Sequence, residues 1–152
     1  VVLDGRLRVG PRGNAGALGS MPVPGGRQLL DVASVSTLES RLGHSLPPDD
    51  SGWLVPQDIE APWVAQSAEA LAFVALAATA LLDIPVVVID GAVPPTTRLA
   101  LADATRTAMA RLPAAGIDRP DIIEGSLARS ARILGAAALP LAHFFEPGGA
   151  LA

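Results

Sequence analysis

The chain has 152 residues, half of them hydrophobic, which is enough for one domain with a core of its own. It has no Cys, and its eleven basic residues are all Arg. That excludes disulfides, thiolate-ligated zinc or iron–sulfur centres, a Walker A phosphate loop and Schiff-base catalysis. A net charge of −4 and a pI near 5.0 argue against a nucleic-acid surface, which needs clustered cations.

With three Phe, two Trp and no Tyr, the core must be built from small aliphatic side chains, which suits helices packed tightly on a sheet. The start of the chain shows no basic segment followed by an apolar one and a small-residue cleavage site, so no secretory signal is read and a cytoplasmic location is expected. The most apolar stretch, residues 70–82, is thirteen residues long and falls short of a membrane span, so it reads as part of a core helix.

Residues 1–9 read as a hairpin in which Val2 and Leu3 form one arm, Asp4-Gly5 the turn, and Arg6-Leu7-Arg8-Val9 the alternating second arm. The first arm is short, as if cut from inside a sheet, and this motivates reading the chain as one lobe of a larger protein. Arg6, Arg8 and Arg12 read as a solvated face. Glycine then recurs at every third position, Gly10, Gly13, Gly16 and Gly19. This is a glycine-rich loop able to take positive φ or to approach a ligand, without the spacing of a dinucleotide fingerprint.

From residue 28 to 42, Leu29, Leu30, Ala33, Leu38 and Leu42 approximate one face of a single helix that stops at Gly43. Residues 47–52 read as a linker or exposed loop. A long helix starting at Asp58 or Glu60, with Pro62 in its first turn, runs to Leu82 and is buried on several sides.

Pro85 precedes Val86-Val87-Val88-Ile89, a β-branched run expected for a central parallel strand and ended by Asp90-Gly91. A helix over residues 96–112, capped by Thr96 or Thr97, leads to a second strand over residues 121–123. A last helix opens at Gly125-Ser126, runs to about Phe144 and is bent or ended near Pro140. Two parallel strands joined by a helix place any ligand at their carboxyl ends, where Asp90, Gly91, Ala92, Glu124, Gly125 and Ser126 fall.

Asp90 and Glu124 are the candidates for acid–base work at that edge, although a strand-end carboxylate is more commonly a turn or cap residue. His44 and His143 have no companion at metal-ligand spacing, so no metal site is expected. No Ser lies in a G-x-S-x-G elbow, which removes the usual foothold for hydrolase chemistry.

Taken in series, four segments resemble the ROK family of repressors and sugar kinases. They are Val2-Leu3-Asp4-Gly5-Arg6-Leu7, the loop from Gly13-Asn14 through Gly16-Ala17-Leu18-Gly19-Ser20 to Val23, Leu82-Asp83-Ile84-Pro85-Val86-Val87-Val88-Ile89-Asp90-Gly91, and Leu134-Gly135-Ala136-Ala137-Ala138. The resemblance covers the C-terminal half of that family over nearly the whole chain. It implies an α/β fold of the ribonuclease H-like (actin-like ATPase) type, here the C-terminal lobe as a single domain over residues 1–152, with a mixed sheet, an N-terminal hairpin and packed helices.

The family's loop ordinarily carries a sugar-binding glutamate, then a histidine that touches the sugar and ligates zinc, then a cysteine cluster. The resemblance puts Ala17 and Ser20 at the first two positions, and Pro24-Gly25-Gly26-Arg27 leads straight to the helix where the cysteines would be. The sugar-loop remnant is Gly13, Asn14, Gly16, Ala17, Gly19 and Ser20; the nucleotide-edge remnant is Asp90, Gly91, Ala92, Gly125 and Ser126. A carboxylate at Asp90 would repel phosphates or crowd a base. The family's phosphate-binding glycines and catalytic aspartate belong to an N-terminal lobe outside this chain.

No catalytic residue, cofactor or metal is therefore expected. The implied role is the effector-sensing and dimerising half of a ROK-type transcriptional regulator, with a homodimer and a small sugar effector as partners, no membrane, and DNA reached only through an N-terminal region. The alternatives are a fragment of a ROK-type sugar kinase and a non-catalytic interaction module.

Overall fold

A computed structural model describes residues 2–3, 6–48 and 52–145. They divide into two compact units, one made of residues 1–17 and 129–152, the other of residues 18–128.

In the first unit, strands β1 (Val2–Leu3) and β2 (Arg6–Leu7) pair antiparallel, Val2 with Leu7 and Leu3 with Arg6, as the hairpin reading expects. The turn residues Asp4 and Gly5 lie outside the described residues. The second arm is shorter than expected, because Arg8 and Val9 are exposed and outside the strand. Helix α5 (Ser130–Phe145) closes this unit. It starts after a turn over residues 125–129 rather than at Gly125, and it continues through Pro140 instead of ending there.

The second unit opens with a single 3₁₀ turn, Leu18–Ser20, and a second antiparallel hairpin of β3 (Pro22–Val23) and β4 (Arg27–Gln28). Residues 24–27 are expected to lead straight into a helix. Instead Gly25 and Gly26, at φ 95° and 74°, turn the chain back on itself, a conformation that glycine adopts without steric cost.

The single helix expected over residues 28–42 is two: α1 (Leu30–Ala33) and α2 (Val35–Leu42). Ser34 breaks them by taking an extended conformation and capping α2, its Oγ accepting from the Thr37 amide at 3.2 Å. The break shifts the buried face, so Val32 is buried while Leu30 is exposed. Gly43 ends α2 at φ 75°, as expected.

The long helix α3 (Gln57–Leu82) begins one turn earlier than Pro62 would set, so Pro62 falls in its second turn. At 26 residues it is long and apolar enough to cross a membrane by length and composition, beyond what residues 70–82 alone suggested. Half of its most apolar window is buried inside the protein, and it packs against α1, α2 and α4 (Pro95–Arg111) as a core helix.

Side chains of α3 also repair the α1–α2 break. Ser67 Oγ donates to the Val32 carbonyl at 3.3 Å, and Trp63 Nε1 to the Ser34 carbonyl at 3.3 Å. The Val32 carbonyl thereby gains a donor from the core, and the Ser34 carbonyl, which also accepts from the Thr37 amide at 3.1 Å, gains a second one. Around them lie two apolar clusters. One joins Leu38, Trp63 and Ala72 to Leu101, Ala102 and Ile122; the other joins Val23 and Leu29 to Val32, Ala70 and Val74. Alanine at the α3–α4 contact lets the two helix axes come close.

Strands β5 (Val86–Ile89) and β6 (Asp121–Glu124) pair parallel, in register from Val86–Asp121 to Ile89–Glu124, with α4 as the connection. The expected mixed sheet is absent among the described residues, which form three separate two-stranded sheets. β5 is correspondingly an edge strand, not a central one. Alternate side chains point to opposite faces, and only the face toward α4 is covered: Ile89 and Ile122 are buried, whereas Val88 is 54% exposed.

Candidate functional site

The carboxyl ends of β5 and β6 converge because the Gly125 amide donates to the Ile89 carbonyl at 2.8 Å, extending the ladder one residue past the strands. Beside it the Asp90 side chain folds over Gly125. A Cβ at residue 125 would lie 2.5 Å from both Cβ and Cγ of Asp90, closer than real atoms approach, so only glycine fits.

The Asp90 carboxylate is fully engaged. Oδ1 accepts from the amides of Gly91 at 2.8 Å and Ala128 at 3.0 Å, and Oδ2 from Leu127 at 3.0 Å. Ala128 reaches it in the left-handed region at φ 48°.

Arg98 completes the cluster. Its side chain is 8% exposed, and its Nε lies 3.0 Å from Glu124 Oε1 and 4.0 Å from Asp90 Oδ1. Nη1 donates to the Val93 carbonyl at 3.4 Å, tying the loop after β5 to the same guanidinium. Burial pushes the Asp90 carboxyl upward. The Gly91, Ala128 and Leu127 amides and the Arg98 charge outweigh it, and the carboxyl is held below its ordinary value.

Five of the expected edge residues are thus brought together: Asp90, Gly91, Glu124, Gly125 and Ser126 share one end of the sheet, with Ala92 half-buried in the following loop. They do not form an acid–base pair. Asp90 anchors a turn, Glu124 pairs with Arg98, and Gly91 borders open space.

Arg98 was not among the expected site residues. The signal for it was its place in the first turn of α4, where a cation faces the positive end of the helix dipole and needs a carboxylate partner. The expected caps also fail: Pro94 occupies the N-cap of α4, Pro95 begins it, and the Thr97 hydroxyl instead donates to Glu60 of α3.

In the glycine loop, Gly13 and Gly16 take φ 71° and 85°. Turn bonds from Gly13 to the Gly10 carbonyl and from Ala17 to the Asn14 carbonyl hold it. Gly19 differs. A Cβ there would meet Leu30 Cγ at 2.8 Å, so residue 19 needs room rather than positive φ. Ser20 ends the 3₁₀ turn, exposed. Among the described residues no three His, Cys, Asp or Glu side chains converge on a point that could hold a metal ion. The His143 side chain lies outside the described residues.

No family profile matches the chain, and no curated protein does. Solved structures do. The ROK hexokinase of Thermus thermophilus is 23% identical with a TM-score of 0.59, over 90% of this chain and 50% of that one. A protein assigned as a sugar kinase from Cytophaga hutchinsonii is 20% identical with a TM-score of 0.62, over 91% and 52%. The chain shares their fold. At these identities the likeness is one of architecture, and the chain spans about half the length of each.

Proposed function

We propose that the chain is the C-terminal lobe of a ROK-type protein and serves as the effector-sensing and dimerising half of a transcriptional regulator. It would be cytoplasmic, with a small sugar as effector and DNA bound by a segment outside these 152 residues. The observation that carries this reading is the state of the strand-end edge. Its amide donors and its buried cation are already bonded to Asp90 and Glu124 of the same chain. Phosphoryl transfer works by positioning phosphates and stabilising their charge, and a carboxylate in that position opposes both. A sensor needs only different affinities for its ligand in two states. Ala17 and Ser20, where the family resemblance puts glutamate and histidine, fit the same reading.

The test is calorimetric titration of the full-length parent with hexoses and N-acetylhexosamines, each with and without ATP. Sugar binding without turnover supports the regulator, and sugar phosphate formed from ATP overturns it. A second reading, half of a sugar kinase, is favoured by the assigned activities of both structural neighbours. The residues encoded upstream of Val1 discriminate the two: a helix-turn-helix belongs to the regulator, a phosphate-loop strand to the kinase.

A further inference from the structure

A half-open cavity of about 270 Å³ lies among the β3–β4 hairpin, α1, α3 and the last turn of α4. Arg111, at its rim, is thirteen residues beyond Arg98 on α4, about 20 Å along the helix. Its walls are mainly apolar, with Val32, Ala70, Phe73 and Ala108 facing it beside the polar Gln66, and Phe73 is partly exposed, an aromatic ring left open to solvent at the cavity.

Two arginines and one carboxylate stand at the rim. Arg111 Nη2 is 3.8 Å from Glu69 Oε1, a loose contact between exposed groups, and Arg27 has no side-chain partner among the described residues. One positive charge is therefore left over. The carbonyls at the end of α4, which would repel an anion, are covered by Arg119, whose Nε and Nη2 donate to Met109 and Leu112 at 3.1 and 2.7 Å.

An apolar cavity with a small number of placed polar groups is the usual form of a small-molecule site. A guanidinium fork suits a planar carboxylate. One surplus positive charge selects a monoanion, and the volume admits a body of about one aromatic ring.

We infer that this cavity binds a small organic monocarboxylate, its apolar body against Phe73 and Ala70 and its carboxylate between Arg27 and Arg111. Phenylacetate is a suitable probe, titrated into the ¹⁵N-labelled chain and followed through the amides of Ala70, Phe73 and Ala108. The expected result is saturable shifts at those amides. Phenylacetamide, with the ring but no charge, and inorganic phosphate, with charge but no ring, bind at least about tenfold more weakly. Arg27→Gln and Arg111→Gln each weaken phenylacetate binding at least about fivefold, with the melting temperature unchanged, whereas Arg12→Gln has no effect. Absence of saturation by about 10 mM, or phenylacetamide binding as tightly as phenylacetate, overturns the proposal. The phenylacetamide comparison needs no variant and stands even where a substitution disturbs folding.

Discussion

The contact between Asp90 and Gly125 makes a sharp prediction, because one side chain supplies the three nearest atoms that a Cβ at residue 125 would strike. Gly125→Ala forces atoms at 2.5 Å apart, and the obstruction includes the Asp90 Cβ, which cannot swing aside as a flexible tip would. Overpacking of this kind costs about 2–3 kcal/mol. Asp90→Gly removes the obstruction and, with it, acceptors for three amides and a counter-ion for Arg98. Each charge-assisted bond contributes about 1.5–3 kcal/mol when sheltered. Because Leu127 is exposed and Gly91 only half-buried, water recovers much of that, leaving a loss of about 2–4 kcal/mol. In the double variant the Gly125→Ala cost should fall below about 0.5 kcal/mol, a coupling near 2 kcal/mol, well outside the additivity of independent sites. Urea unfolding followed by Trp fluorescence measures all four corners, with the buried Trp63 as reporter. An unchanged Gly125→Ala cost in the Asp90→Gly background would show that the two residues do not touch, and the description of this edge would be wrong.

The lowered Asp90 carboxyl fixes a pH dependence: it binds a proton less readily folded than unfolded, so its contribution is complete above about pH 4 and lost as pH falls through the lowered folded value. The stability gap between wild type and Asp90→Asn should therefore close below pH 4 and stay constant from pH 5 to 8, which urea midpoints across that range would check. Arg98→Met should raise the Asp90 carboxyl, read by carboxyl ¹³C titration, and cost about 1–2 kcal/mol, less than a fully buried pair because both carboxylates keep some solvent. Trp63→Ala, at a side chain 1% exposed that also donates to the Ser34 carbonyl, should cost about 3–5 kcal/mol in the same unfolding assay. Ser34→Ala removes the α2 cap and should cost about 1 kcal/mol, with faster amide exchange at Thr37.

The long-period features of the fold were legible from residues. The β-branched Val86–Ile89 run, the alanine-rich α3 and the Gly43 stop each follow from one strong local preference, and the structure has all three. What escaped depends on partners distant in sequence. Ser34 reads as an ordinary helix-surface residue until Trp63 and Ser67, some thirty residues on, are seen to donate to the Ser34 and Val32 carbonyls at its break. The β3–β4 hairpin had a local signal in Gly25-Gly26, overridden by the apolar spacing of the segment behind it. β-Branched composition cannot tell a central strand from an edge strand, since it reports what the side chains tolerate and not which faces are covered. At the strand ends the residues were foreseen and their roles were not: pairing Asp90 with Glu124 left out the cation that lies beside both.

That cation decides what the edge can do. A ligand anion seeking the Gly91, Leu127 and Ala128 amides has to displace the carboxylate of Asp90, the residue that follows β5 in the chain. A group held this rigidly competes at an effective concentration far above the millimolar range typical of short flexible linkers, so a free phosphate at physiological levels loses the exchange. Arg98 deepens the bias, because freeing Asp90 would leave a buried guanidinium with Glu124 as its one neighbouring carboxylate among the described residues. The edge is therefore self-occupied in its ground state. A ligand here would have to approach through Ser126 and the open space beside Gly91, which are not tied into the cluster.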